Sequence, residues 1–151
     1  DEASILAALV TLVEGCGLEL RRSRLQSRVV AVELGYSDNV SGRSATRLPR
    51  PIALDDELLA AARMALSRAH ARRVRVASLA LALGALEPAS LQLDLFAPVP
   101  ALRETFRDRE PRYASAKLDR LQAAVDAARE RFGAGAVTRC AALNAEAWHD
   151  V

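Results

Sequence analysis

Apolar residues recur at helical spacing near the start of the chain. Ile5, Leu9, Leu12, Val13 and Cys16 fall on one side, which predicts a helix over residues 2–15. Gly15 and Gly17 weaken its end, and Leu18 and Leu20 offer an extension. The pattern then alternates. In residues 28–36, RVVAVELGY, Val30, Val32, Leu34 and Tyr36 share one face of a strand rich in β-branched residues. Tyr36-Ser37-Asp38-Asn39, followed by Ser41-Gly42, is turn chemistry. Residues 43–48 then make the second strand of a hairpin, ended by Pro49 and Pro51.

Helical spacing returns from Leu54 or Asp55 to about His70, with Leu58, Leu59, Ala62, Leu66 and Ala69 as the apolar stripe. Residues 73–83, RVRVASLALAL, read as a third strand with Leu79, Leu81 and Leu83 on one face and Ser78, Ala80 and Ala82 on the other. Prolines 88, 98, 100 and 111 break the next stretch, a linker whose apolar island is Leu91 to Phe96. A third helix follows from Ala114 to Phe132, with Leu118, Leu121, Val125, Ala128 and Phe132 along one side and Gly133 as its cap. Val137 to Leu143 reads as a last strand. The order is that of an α+β fold, a small sheet with helices on one face.

At 151 residues the chain can bury a real core. No uninterrupted apolar run reaches the roughly 18–20 residues of a membrane span, so no membrane association is expected. Asp1-Glu2-Ala3-Ser4 has neither the basic start of a secretory signal nor an initiator Met, and a piece of a longer protein is expected. Cys16, in a helix, and Cys140, in the last strand, read as buried free thiols of a reducing cytosol.

The net charge of +2 says little, but its distribution says more. Residues 18–75 hold 12 Arg against 6 acids. Such a block suits either a polyanion-facing surface or a salt-bridged, solvated one. Arg28, Arg43, Arg47, Arg72, Arg73 and Arg75, with Ser44 and Thr46 between, surround the expected sheet. The small-residue face of Ser78, Ala80 and Ala82 permits close approach of a phosphate backbone unless the third helix covers it.

Catalytic chemistry finds no support. His70 and His149 lack partners at metal-ligand spacing, and no phosphate-binding glycine loop is present. Asp55-Asp56-Glu57 could hold a divalent metal, but a helix N-terminus favours the same residues, and that is the preferred reading. Gln92-Leu93-Asp94-Leu95-Phe96 fits either a short peptide docking in an apolar pocket or a strand packed back on the domain.

Together these residues resemble the C-terminal part of the Y-family translesion DNA polymerases, the DNA polymerase IV group. Leu20-Arg21 ends the first helix, Tyr36-Ser37-Asp38 closes the first strand, and Gly42 to Thr46 is similar to the family's second strand. Leu48-Pro49-Arg50-Pro51 and Arg73 to Leu79 follow in the family's order. Gln92 to Phe96 resembles its sliding-clamp motif, and Arg131-Phe132-Gly133 a step in its tail. Ser78, Ala80 and Ala82 depart from the family's glycine and polar positions.

The resemblance implies a little finger-like domain over residues 1–86, a four-stranded sheet with two helices on its back. A linker with the clamp motif (87–112) and a helix–strand tail (113–151) follow. It implies that Arg28, Arg43, Ser44, Thr46, Arg47, Arg73 and Arg75 contact primer–template duplex DNA. Gln92, Leu93, Asp94, Leu95 and Phe96 would bind the bacterial sliding clamp. The chain itself would have no catalytic residue, metal site or cofactor. Mg²⁺ belongs to the palm domain, which the chain lacks. A cytoplasmic, nucleoid-associated monomer is expected. The alternatives are a catalytically inactive polymerase-like partner that recruits another polymerase through the clamp, and an adaptor without DNA affinity.

Overall fold

A computed structural model describes residues 2–72, 74–89 and 111–143. Helix α1 (Glu2–Arg22) leads into strand β1 (Leu25–Tyr36), which turns into β2 (Ser41–Ile52). Helix α2 (Asp55–Ala69) and strand β3 (Val76–Pro88) complete the sheet unit. The tail consists of helix α3 (Pro111–Phe132) and a helical turn, α4 (Cys140–Leu143). The fold is α+β. The sheet is antiparallel, three-stranded among the described residues, in the order β2-β1-β3.

Alternation in β1 decides the two sides of the sheet. Val30, Val32, Leu34 and Tyr36 are buried against α1 and α2, in a core that includes Leu9, Val10, Val13, Leu58 and Ala62. Each fully buried Leu or Val contributes about 1.5–3 kcal/mol. Leu79, Leu81 and Leu83 of β3 pack on the same side. By length and composition α1 could cross a membrane. Its apolar residues Leu9, Val10, Val13 and Leu20 are instead core positions beneath the sheet.

Helix α1 runs past both glycines to Arg22 because Gly17 is a packing position. A Cβ there would run into the Asp55 carboxylate and the Arg21 guanidinium. Arg24, at φ 53°, ends the helix in the left-handed region. In the β1–β2 turn Asn39 takes φ 63°, and Asp38 Oδ1 accepts a hydrogen bond from the Val40 amide at 3.3 Å. The Tyr36 hydroxyl donates to the Ala69 carbonyl at 3.1 Å and pins the hairpin to the end of α2.

Two expectations about the sheet change. Residues 23–27, which the resemblance leaves open as the fourth strand, supply none: Ser23 and Arg24 form a turn and Leu25 to Ser27 begin β1. Residues 137–143, expected as a last strand and equally open as the fourth, form no strand: α4 packs against α1, with Ala142 buried. Thr138 and Arg139 are drawn into polar contacts with Glu14, which leaves the small Cys140-Ala141-Ala142-Leu143 run free to coil. Cys140 is consequently exposed on a helical turn, and Cys16 is only partly buried. The fourth strand implied by the resemblance is not found among the described residues.

Candidate nucleic-acid interface

The helices leave one side of the sheet uncovered. Cross-strand register sets its rows: Arg43–Glu33–Ala80, Ala45–Ala31–Ala82 and Arg47–Val29–Gly84, with Ser41–Gly35–Ser78 at one end. Arg43, Ala45 and Arg47 of β2 are exposed, as are Ser78, Ala80 and Ala82 of β3. Helix α3 lies against α1 and α2 instead, so none of the described helices covers the small-residue face. Arg43 and Arg47, four residues apart on one strand, stand about 13 Å apart along it. Neither guanidinium has a hydrogen-bond or ion-pair partner among the described residues.

The residues grouped by the sequence pattern separate here. Adjacent strand residues point to opposite faces, so Ser44 and Thr46 lie on the helix side. Thr46 is buried, its hydroxyl donating to the Ala61 carbonyl at 3.2 Å and accepting from the Arg68 guanidinium. Arg28 sits where β1 and β2 lose register: Ser27 pairs with Ile52 but Val29 with Arg47, so Leu48-Pro49-Arg50-Pro51 form a bulge, with Leu48 still packed on the core. Arg28 Nη1 donates to the Pro49 carbonyl at 3.0 Å, and Nε lies 2.5 Å from Glu87 Oε1, an ionic contact rather than an aligned hydrogen bond. Its role is to tie the bulge to β3. Arg72 pairs with Asp38 at 2.8 Å and lies over the Tyr36 ring.

Arg75 is exposed just before β3, between the half-buried Val74 and Val76. A register shift opposite Gly35 and Tyr36 reverses the parity that would have put it with Leu79. Arg73 and Gln92–Phe96 lie outside the described residues. The alternation of RVVAVELGY also places Glu33, exposed, on the open face, a position that attention to basic residues alone passes over.

The polar centre of the molecule lies on the opposite, helical side. Asp55, 1% exposed, accepts from Arg21 Nη1 at 2.7 Å, Arg129 Nη1 at 3.1 Å and Gln122 Nε2 at 3.2 Å. Glu14 accepts from Thr138 Oγ1 at 2.9 Å and pairs with Arg129 and Arg139, each at 3.1 Å. Arg21 also grips Asp126 through Nε and Nη2. Burial pushes the Asp126 carboxyl up, but hydrogen bonds from Arg21 and Gln122 and the charges of Arg21 and Arg129 outweigh it and hold the pKa below the usual carboxylate value.

Asp55 is thus more than a first-turn acid complementing the helix dipole, because it bonds α1 and α2 to the tail. Docking through Gln122, Asp126 and Arg129 turns part of the apolar stripe of α3 outward: Leu118 is 41% and Leu121 59% exposed. With arginines filling this cluster, no group of three or more potential ligands could hold a metal among the described residues.

No curated protein matches the chain. Residues 1–95, from α1 through β3 and past its end, match the impB/mucB/samB family C-terminal domain. An α1-β1-β2-α2-β3 unit, open on one sheet face, and a match over more than half of the chain give one conclusion: the chain belongs to the impB/mucB/samB family, and carries a Y-family polymerase C-terminal domain.

Proposed function

We propose that the chain is the part of a translesion polymerase of the DNA polymerase IV group that grips primer–template duplex and tethers the enzyme to the sliding clamp. The observation that carries the DNA reading is the sheet face that no described element covers, with Arg43 and Arg47 unpartnered among the described residues above a floor of Ala31, Ala45, Ala82 and Gly84 in which Val29 is the one larger apolar side chain. A floor of mostly small side chains admits a sugar–phosphate backbone, and two arginines offer forked donors to its oxygens. Arg75 extends the basic surface at the start of β3. Such contacts read charge and shape rather than sequence. The clamp reading rests on Gln92–Phe96 alone, where Leu and Phe side chains would enter an apolar pocket.

Fluorescence anisotropy with labelled duplexes at graded salt tests the first reading. With Arg43, Arg47 and Arg75 each neutralising one phosphate, the log–log slope is expected near about −3. Arg43→Ala with Arg47→Ala should weaken binding equally on unrelated sequences and flatten the slope by about 2. Affinity indifferent to salt, or a strong sequence preference, refutes the contact mode. Calorimetric titration with a bacterial sliding clamp tests the second: binding should vanish in a Leu95→Ala/Phe96→Ala variant, and a variant that binds as well as the parent refutes the tether.

A further inference from the structure

Glu33 occupies the central strand of the open face, flanked by Arg43 on β2 and Ala80 on β3. Its carboxylate is exposed and has no hydrogen-bond or ion-pair partner among the described residues. A packing role does not explain it, since the neighbouring outward positions Val29, Ala31 and Gly35 are apolar or bare. Nor does a tight cross-strand pair: Arg43 is directly opposite, yet the two charges form no ion pair in the structure. What remains is its effect on whatever lies above the face.

We infer that Glu33 is an electrostatic brake on the duplex grip, an affinity-setting residue that opposes the pull of Arg43 on the phosphate backbone. The inference rests on the DNA reading above. A phosphate held by Arg43 lies within reach of the Glu33 carboxylate, because directly opposed strand residues are only about 4.5–5.5 Å apart at Cα. At a separation of about 6 Å in a largely aqueous setting, that repulsion weakens binding by about three- to tenfold. The carboxylate also offsets part of the charge of Arg43, so the phosphate above is less fully neutralised and fewer of the cations condensed on the duplex are released. The face is built to hold duplex loosely, with fast release, as a sheet that must follow a moving primer terminus requires.

The test is Glu33→Gln in the full 151-residue chain, measured by anisotropy on duplexes of unrelated sequence at graded salt. Gln keeps the shape and removes only the charge. Affinity should rise about three- to tenfold near physiological ionic strength, and the log–log slope should steepen by up to about 0.9. Glu19→Gln makes the same charge change on an exposed position of α1 and should leave affinity within about twofold, since a charge beyond a Debye length is largely screened. The thermal midpoint of Glu33→Gln should match the parent. Unchanged or weaker binding by Glu33→Gln overturns the inference. Weakening confined to duplexes rich in G·C pairs would instead make the carboxylate a contact to cytosine amines. If the parent chain itself fails to bind duplex, the DNA reading falls first and this inference with it.

Discussion

Replacing Arg129 with Met should release the tail from the sheet unit while leaving the sheet unit folded. Arg129 is 4% exposed, and its guanidinium joins Asp55 and Glu14 at 3.1 Å each while Nε donates to the Val137 carbonyl at 2.9 Å. Arg129 and Arg139 both reach the two buried carboxylates, and the substitution removes the more deeply buried and closer of the two. Breaking a buried pair by deleting one partner costs about 3–5 kcal/mol, because the remaining charge stays buried. Here Asp55 keeps Arg21 and Gln122, and Glu14 keeps Arg139 and Thr138, so the low end applies, about 3 kcal/mol. That is about a hundredfold in the opening equilibrium of the docked tail. Native-state hydrogen exchange reads it directly: amides of α3 should lose about a hundredfold of protection, while those of β1 at Val30 and Val32 should be nearly unaffected. A double variant adding Glu14→Gln should cost at least about 1 kcal/mol less than the sum of the single changes, since the two residues touch. Protection of α3 within about threefold of the parent would refute the claim that the ionic cluster, rather than apolar packing, holds the tail (on the scale of about tenfold per 1.4 kcal/mol).

Three further outcomes follow from the same geometry. The depressed pKa of Asp126 means its charged form favours the fold. This stability is present above the unfolded carboxylate value, about 4, and is lost as pH falls through the lower folded value. Acid unfolding of Asp126→Asn should therefore begin from a lower plateau and depend less on pH in that window, as circular dichroism titrations will show. Gly17→Ala should destabilise the fold by roughly 1–3 kcal/mol in chemical denaturation, because the new Cβ overlaps the Asp55–Arg21 pair, and a neutral or stabilising result sinks that packing account. Cys140 is exposed, while burial pushes the Cys16 thiol pKa up, so mass spectrometry after brief maleimide treatment should find Cys140 modified first.

The sheet and its helices were legible because their signals are local and periodic. The β1 stripe Val30-Val32-Leu34-Tyr36, the turn at Asp38-Asn39 and helix α2 appear where the apolar spacing puts them. Helix α1 extends beyond its first glycine because Gly17 is tolerated for its contact with Asp55, a tertiary reason that no local pattern carries. At the interface, the strand period already separates Arg43 and Arg47 from Ser44 and Thr46. Grouping by residue type hid that separation and also passed over Glu33. The strand expected at Val137–Leu143 failed for another cause: Thr138 and Arg139 are held by Glu14, more than a hundred residues earlier in the chain. The same distance concealed the function of Asp55, whose partners Arg21, Gln122 and Arg129 come from three separated stretches of sequence.

Two sets of arginines therefore lie on opposite faces of one unit, and salt should tell them apart. On the proposed DNA reading the exposed Arg43 and Arg47 hold phosphate through counterion release, and that hold should weaken steeply as salt is added. Arg129 and Arg21 act on a carboxylate that is 1% exposed, where screening is weak. Raising ionic strength should strip duplex from the sheet face well before it loosens α3 from the helical face.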